Sequence, residues 1–234
     1  MENALITGAT KGIGKAIAVA FAKQGLNLAI CSRKSEDLQQ FQKELLKINP
    51  SIAVFTQATD CSQKSELLQF AAAAELQLGF IKVLVNNVGS YEPCAILEDD
   101  DDTLQQQLNT NLIPAYELYR YFGRTMMAAH SGHIFNICSV AAINPVVNAG
   151  SYTVTKAAQL SLNHVMRLET QSYGVKVTAV LPGSTFTSSW EGSQLEQSRF
   201  VQPEDVASAI ISCYGMSAGA NVDELVIRPT LGQL

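Results

Sequence analysis

The chain has 234 residues, of which 47% are hydrophobic and 16% are charged. This length suits one large domain, and this composition excludes an intrinsically disordered chain, a coiled coil and a collagen-like fibre. The formal net charge of −5 comes without any cluster of Lys and Arg, which argues against nucleic acid as a partner.

No run of about 18 apolar residues occurs, and the opening residues, MENALITG, lack the basic and apolar regions of a signal peptide. We therefore expect a cytoplasmic protein that does not enter a membrane. The histidines and cysteines show no metal-ligand spacing, so we expect no metal site. We interpret the cysteines as buried free thiols: Cys31, Cys61, Cys94, Cys138 and Cys213.

Short apolar runs alternate with longer amphipathic patterns along the chain, which is typical of βαβ units in a parallel sheet. The apolar runs predict strands at residues 3–7, 27–31, 52–57, 81–86, 133–138, 176–181 and 224–228. The amphipathic patterns predict helices at residues 13–23, 35–48, 63–78, 101–130, 151–173 and 203–213. We therefore predict an α/β fold over residues 1–234: a single doubly wound domain with a mostly parallel seven-stranded sheet and helices on both faces.

Two segments between these elements carry further expectations. The acidic run at residues 98–102 is expected to cap the helix that follows it. Residues 183–200 are rich in Ser and Thr and show no periodicity, and such a segment is more often a substrate lid than a linker. We expect a lid at residues 183–202, in which Trp190 and Phe200 either contact an apolar substrate or anchor the segment.

A glycine-rich loop joins the first predicted strand to the first predicted helix, with Gly8, Gly12 and Gly14 at its turn. Glycine permits the unusual backbone angles of such a turn and lets the backbone approach a pyrophosphate closely. The free N–H groups and the positive dipole end of the helix then face the phosphates. A tight turn without a ligand is the alternative, but the position between a strand and a helix favours a dinucleotide site.

The end of the second predicted strand indicates which nicotinamide cofactor is preferred. An acidic residue there would bind the adenosine ribose and repel a 2′-phosphate, but the sequence has Arg33 and Lys34 after a serine. These cations, with Lys11 in the glycine loop, suit a 2′-phosphate. We therefore expect NADP(H), with NAD(H) possible because Glu36 and Asp37 follow closely.

Tyr152 and Lys156 lie four residues apart on a predicted helix, so their side chains share one face. A free tyrosine titrates near pH 10, and a nearby positive charge would favour its phenolate and make it useful in acid–base chemistry. A surface pair without function is the alternative. Ser139, at the carboxyl end of a predicted strand, and Asn111, within a helical pattern, favour the catalytic interpretation.

These motifs occur in the order and spacing of one family, the short-chain dehydrogenases/reductases, which the chain resembles over its whole length. The matching positions are Thr7-Gly8-x-x-x-Gly12-x-Gly14, Asp60, Asn86-Asn87-Val88-Gly89, Asn111, Ser139, Tyr152-x-x-x-Lys156 and Pro182-Gly183. The resemblance implies a Rossmann fold and hydride transfer between a nicotinamide cofactor and a carbonyl or alcohol.

The resemblance also implies a role for each matching residue. Tyr152 would be the general acid that protonates the carbonyl oxygen, and Lys156 would bind the nicotinamide ribose and lower the tyrosine pKa. Ser139 would polarise the carbonyl, and Asn111 would hold a water that relays protons. The implied cofactor contacts are Gly8, Thr10, Lys11, Gly12, Ile13, Gly14, Arg33, Asp60, Cys61, Asn87, Val88, Gly89, Tyr152, Lys156, Pro182, Gly183, Thr185 and Thr187.

We therefore predict an NADPH-dependent reductase of a small ketone or aldehyde, acting reversibly. The ending Val222-Asp223-Glu224-Leu225 resembles carbonyl reductases of the sepiapterin-reductase type more than 3-oxoacyl-carrier-protein reductases, which remain an alternative. A binding protein that senses NADP(H) without turnover, and an epimerase or dehydratase with bound cofactor, are further alternatives. The apolar faces of the predicted helices at residues 101–130 and 151–173 predict a homodimer or homotetramer.

Overall fold

The computed structural model describes residues 1–187, 190 and 194–234. Within these residues one sheet is formed by seven strands: β1 (Asn3–Thr7), β2 (Asn27–Ser32), β3 (Val54–Ala58), β4 (Val83–Asn86), β5 (His133–Ile137), β6 (Lys176–Pro182) and β7 (Glu224–Ile227). The strand order is β3-β2-β1-β4-β5-β6-β7, and every neighbouring pair is parallel. The predicted α/β fold with a seven-stranded sheet is confirmed.

Seven α-helices accompany the sheet in the described residues: α1 (Gly12–Lys23), α2 (Ser35–Ile48), α3 (Lys64–Leu78), α4 (Thr103–Asn111), α5 (Ile113–Ala128), α6 (Gly150–Thr170) and α7 (Pro203–Tyr214). Successive side chains of a strand point to opposite faces. In β1, Ala4 and Ile6 join the apolar cluster under α1, α2 and α7, whereas Leu5 joins the cluster under α3, α5 and α6. Both faces of the sheet are therefore covered.

The strand order reverses between β1 and β4. These two strands are neighbours in the sheet, although β2 and β3 lie between them in the sequence. Loops that leave the carboxyl ends of such neighbours turn to opposite faces and open a crevice between them. This crevice is where the glycine-rich loop after β1 meets the loop after β4. The sheet therefore places the candidate ligand site at the carboxyl ends of β1 and β4.

The helix predicted at residues 101–130 is wrong in one respect, because the structure divides it into α4 and α5. The division falls at Leu112, whose φ is −113° and ψ −54°. Pro114 explains it: proline has no N–H to donate to the carbonyl of Thr110, and its ring crowds that carbonyl. Asn111 therefore ends a helix instead of lying within one.

The predicted capping by the acidic run is also wrong. Asp102 directly precedes α4 but makes no side-chain hydrogen bond to the helix. Its backbone is already helical, with φ −94° and ψ −8°, whereas a capping side chain needs an extended backbone to fold back. Asp99 instead accepts a hydrogen bond from the Ser151 hydroxyl, which connects this loop to the start of α6.

The predicted lid at residues 183–202 includes residues 188, 189 and 191–193, which lie outside the described part of the chain. Its two ends are held together, because Thr185 and Val201 form a parallel bridge. Phe200 is buried, with its ring centre 5.5 Å from that of Phe186 and 4.9 Å from that of Trp190. Phe200 therefore anchors the segment.

The cysteines are all free thiols. Four of them are buried, but Cys94 is only partly so, because it lies in the loop between β4 and α4 and not under a helix. The prediction of a buried thiol is therefore wrong at Cys94. No helix in the described part of the chain combines the length and apolar character needed to cross a bilayer.

Candidate active site

The glycine loop turns sharply between β1 and α1. Gly8 and Gly12 have φ angles of +64° and +50°, in the left-handed region that favours glycine. Gly14 has an ordinary helical backbone, but a Cβ there would lie 2.4 Å from the Gly8 carbonyl oxygen. The Ala9 N–H donates to the Cys31 carbonyl at 3.1 Å, which ties the loop to the end of β2. The glycines thus permit both the sharp turn and the close packing of the loop against itself.

Two polar side chains connect this loop to the segment after β4. The hydroxyl of Thr7 accepts hydrogen bonds from the N–H groups of Asn87 and Val88, each at 3.0 Å. The side-chain amide of Asn87 donates to the carbonyl oxygens of Thr7 and Gly8, at 2.9 and 3.0 Å. Asn87, predicted as a cofactor contact, therefore also fixes the shape of the glycine loop.

The predicted adenosine side of the site lies at the ends of β2 and β3. Lys11 and Arg33 are exposed, and neither makes an ion pair within the described residues. The carboxylate of Asp60 accepts hydrogen bonds from the N–H and the hydroxyl of Ser62, at 3.0 and 2.8 Å. The Cys61 thiol is buried, with its sulfur 3.7 Å from that of Cys31. Two free cations thus stand where a 2′-phosphate is expected.

A cavity of about 840 Å³ opens at the carboxyl ends of the central strands. Many of the predicted site residues line it: Ile13, Asn87, Gly89, Ser139, Tyr152, Lys156, Pro182, Gly183, Thr185 and Thr187. The others lie around it in the glycine loop, at the ends of β2 and β3, after β4 and at the end of α4: Gly8, Thr10, Lys11, Gly12, Gly14, Arg33, Asp60, Cys61, Val88 and Asn111. The glycine loop reaches the cavity wall, since a Cβ on Gly12 would lie 3.0 Å from the Thr187 side chain.

Tyr152, in the first turn of α6, lies with Ser139 at the wall of this cavity. Burial raises the pKa of Tyr152 to about 12, although its hydrogen bond with Ser139 lowers it in part. The Ser139 hydroxyl also accepts from the Ala141 N–H at 3.1 Å, which holds the serine side chain in place. The phenol is therefore protonated at neutral pH and lies near a fixed hydroxyl.

Lys156 follows one turn later, and its ammonium lies 5.8 Å from the centre of the Tyr152 ring. The resemblance implies that Lys156 lowers the tyrosine pKa, but the net shift in the structure is upward. Removal from water disfavours the phenolate more than a charge at this distance favours it. Burial also lowers the pKa of Lys156, to about 8.

The side chain of Asn111 is fully engaged with its neighbours. Its Oδ1 accepts from the Ser90 N–H at 2.8 Å, and its Nδ2 lies 3.1 Å from both the Ser90 carbonyl and the Thr155 hydroxyl. These bonds join the segment after β4 to α6. The side-chain contacts of Asn111 therefore fix the end of α4 against α6 and the segment after β4.

The segment at residues 90–96 was expected to shape the substrate pocket, and within it the Tyr91 ring packs edge-on against Tyr152, with ring centres 5.0 Å apart. Sequence reasoning missed three other residues of the site. Arg228 and Gln233 line the cavity, although both lie far along the chain from the other motifs. Gln159 accepts a hydrogen bond from the Lys156 ammonium at 2.9 Å. Only Gln159 had a signal in the sequence, since it is a polar residue three positions after Lys156 on the same helix face.

Comparison with known proteins identifies the family. A sepiapterin reductase of Chlorobaculum tepidum is 32% identical over 238 residues, covering 98% of this chain and 97% of the relative. An alcohol dehydrogenase of the archaeon Thermococcus sibiricus, solved with 5-hydroxy-NADP, gives a TM-score of 0.92 at 24% identity, covering 100% of this chain and 99% of that one. A metagenomic short-chain oxidoreductase, solved with NADP, gives 0.85 at 28% identity, covering 98% and 97%.

A family model described as short chain dehydrogenase matches residues 2–198, which is most of the chain. The geometry of the cavity agrees with this match, because the glycine loop, Ser139, Tyr152 and Lys156 meet around it. The chain belongs to the short-chain dehydrogenase family of oxidoreductases.

Proposed function

We propose that this protein is an NADPH-dependent reductase that converts a small ketone or aldehyde to the alcohol, in a reversible reaction. The observation that carries the proposal is the meeting of Ser139, Tyr152 and Lys156 at the wall of one cavity, beside a glycine loop suited to a dinucleotide. The relative from Chlorobaculum tepidum is itself named a reductase, which supports this direction.

The residues around the cavity fit an NADPH molecule. The glycine loop suits a pyrophosphate, because its turn at Gly8 and Gly12 leads into the N-terminus of α1, and the cations Lys11 and Arg33 suit a 2′-phosphate. Lys156, which would bind the nicotinamide ribose, lines the same cavity as Gly89, and its Nζ would lie 3.5 Å from a Cβ on that glycine. The metagenomic relative was solved with NADP, which supports the same cofactor.

When bound, NADPH would supply the hydride that the carbonyl carbon accepts. The hydroxyl of Ser139 would hydrogen-bond the carbonyl oxygen and polarise it. The phenol of Tyr152 would give its proton to that oxygen, so that hydride and proton together yield the alcohol. Its raised pKa supports this direction, because a phenol with a pKa of about 12 is almost fully protonated at neutral pH.

The Tyr152 phenolate left by this step must regain a proton. The Lys156 ammonium would stabilise the phenolate, since the two groups lie one helical turn apart. A water held by Asn111 would then connect Lys156 with solvent. The bonds of the Asn111 side chain to Ser90 and Thr155 support this role, because they fix the end of α4 next to α6.

A panel of aldehydes and ketones tests the proposal, with NADPH oxidation followed by absorbance and NADPH affinity by fluorescence. We expect Tyr152→Phe to lower turnover by roughly 10²–10⁴-fold and to leave the NADPH Kd unchanged, because only the transferable proton is lost. Tyr173→Phe is the matched control, since it removes a phenolic hydroxyl on the 3₁₀ turn after α6, away from the cavity. Tight NADPH binding without oxidation by any carbonyl would instead favour a sensor.

A further inference from the structure

The ammonium of Lys156 is buried and is held by two hydrogen bonds. Its Nζ donates to the backbone carbonyl of Ile137 at 3.0 Å and to the side-chain Oε1 of Gln159 at 2.9 Å. Lys156 is 4% exposed and Gln159 is 1% exposed. Because an ammonium has three N–H donors, these two contacts leave one for the cavity that Lys156 lines.

No carboxylate in the described residues pairs with this ammonium. The titratable groups that face it are Cys138, at the end of β5, and Tyr152, on its own helix. Burial raises the pKa of each to about 12, so both are neutral near pH 7. From α4, Asn111 approaches the same region and carries no charge. The oxygens of Ile137 and Gln159 are therefore the groups that replace water around the charge.

We propose that Gln159 is a positioning residue for Lys156: its amide oxygen keeps the ammonium protonated and directs the remaining N–H toward the cofactor. A buried amide is costly unless it is hydrogen-bonded, and this one uses its oxygen on the lysine. An acceptor for a charged donor favours the charged form of that donor. The part concerning the cofactor rests on the proposed function, whereas the part concerning the charge of Lys156 does not.

Two variants at one position test this proposal through the pH dependence of NADPH affinity between pH 6 and 10. In the unaltered protein, affinity should fall above about pH 8, as Lys156 loses its proton. Gln159→Leu removes the acceptor and should move this fall to lower pH by about one unit. Gln159→Glu keeps the shape of the side chain and adds a negative charge beside the ammonium. It should move the fall in NADPH affinity to higher pH by a similar amount.

If Gln159 only filled space, the two substitutions would not shift the pH at which NADPH affinity falls in opposite directions. Asn163→Leu is the matched control, because Asn163 is a fully buried amide one turn further along α6 that contacts Asn136 and not Lys156. We expect that control to lower the unfolding temperature and to leave the pH profile in place. If Gln159→Leu does not fold, the pH profile of NADPH affinity in Gln159→Glu still tests the proposal.

Two results would overturn the proposal. One is an NADPH affinity in the unaltered protein that does not change from pH 6 to 10. The other is a uniform loss of affinity in both Gln159 variants without a shift along the pH axis. If the protein binds NADPH but oxidises it with no carbonyl, the proposed function fails, and the binding profile still reports on Gln159.

Discussion

The side-chain amide of Asn87 occupies the space that a side chain at position 14 would need. A Cβ on Gly14 would lie 2.4 Å from the Asn87 Nδ2, which donates to the Gly8 carbonyl at 3.0 Å. The same Cβ would lie 2.4 Å from that carbonyl oxygen. The third glycine of the loop is thus required by the amide that fixes the loop and not by its own backbone angles.

We therefore expect Gly14→Ala to lower the free energy of unfolding by roughly 1–3 kcal/mol, because the backbone and Asn87 must both move. NADPH affinity should fall by about tenfold or more, since the loop that would hold the pyrophosphate is displaced. Gly219→Ala is the control, because nothing lies within 4 Å of a Cβ there. Equal stability of the two variants in urea unfolding would contradict the packing argument.

The fold could be predicted well from the sequence because each buried strand is a short apolar run between amphipathic helices. The strand order could not, since pairing depends on contacts between segments far apart in the chain. The break between α4 and α5 could not be predicted from periodicity, because apolar residues such as Leu108, Leu112 and Ala115 continue at helical spacing across it. A stronger weight on Pro114, which cannot donate a helical hydrogen bond, would have placed it.

The candidate site was predicted in outline, because Tyr152 and Lys156 share a helix and the glycine loop is continuous in sequence. Their electrostatics could not be predicted, since burial acts on both pKa values and burial is a property of the folded protein. The hydrogen bonds of Thr7 could not be predicted for a similar reason, since its partners reach it only when β1 and β4 are packed together. Gln159 is different, because its position three residues after Lys156 on one helix could have revealed the pair.

Ser139 should contribute both to polarising the carbonyl and to the acidity of Tyr152. Its hydrogen bond is the contact that lowers the tyrosine pKa, so Ser139→Ala should raise that pKa further. We expect turnover to fall by roughly 10²–10³-fold, with little change in NADPH affinity. Ser139→Thr retains a hydroxyl and should recover part of the rate. Full activity in Ser139→Ala would remove the serine from the mechanism.

Arg33→Asp should change the cofactor preference, because a carboxylate would repel a 2′-phosphate and accept hydrogen bonds from a ribose. We expect the ratio of NADH to NADPH dissociation constants to fall by about 10- to 100-fold. Arg124→Asp, on the exposed side of α5, makes the same charge change away from the site and should leave the ratio as it is. An unaltered ratio in Arg33→Asp would show that Lys11 or another group recognises the phosphate.

The exposed face of α6 carries a stripe of apolar residues at helical spacing. Val154, Val165 and Leu168 are 45%, 48% and 58% exposed. Such a stripe is typical of a surface that packs against another helix, so we expect a homodimer or homotetramer. Leu168→Glu should lower the mass measured by light scattering, whereas Leu76→Glu, at an 83% exposed position on α3, should not. A monomeric unaltered protein would contradict the expectation.

His133 in β5 should make the stability of the protein depend on pH. The imidazole is 3% exposed, lies 3.0 Å from the Thr178 hydroxyl and stacks on Phe135 with ring centres 3.9 Å apart. Burial lowers its pKa to about 3, whereas a histidine in the unfolded chain titrates near pH 6.5. Below about pH 6.5 the unfolded chain therefore binds a proton that the folded protein does not.

The free energy of unfolding should consequently fall by about 1.4 kcal/mol for each pH unit from about 6.5 toward 3, from this residue alone. Carboxylates also titrate in that range, so the measurement is a difference between two proteins. His133→Gln keeps a polar group beside Thr178 but does not titrate, and the carboxylates are the same in both chains. Urea unfolding at pH 4.5, 5.5 and 7 should therefore show the smaller loss in the variant, whereas parallel losses would mean that His133 takes up its proton within the folded sheet.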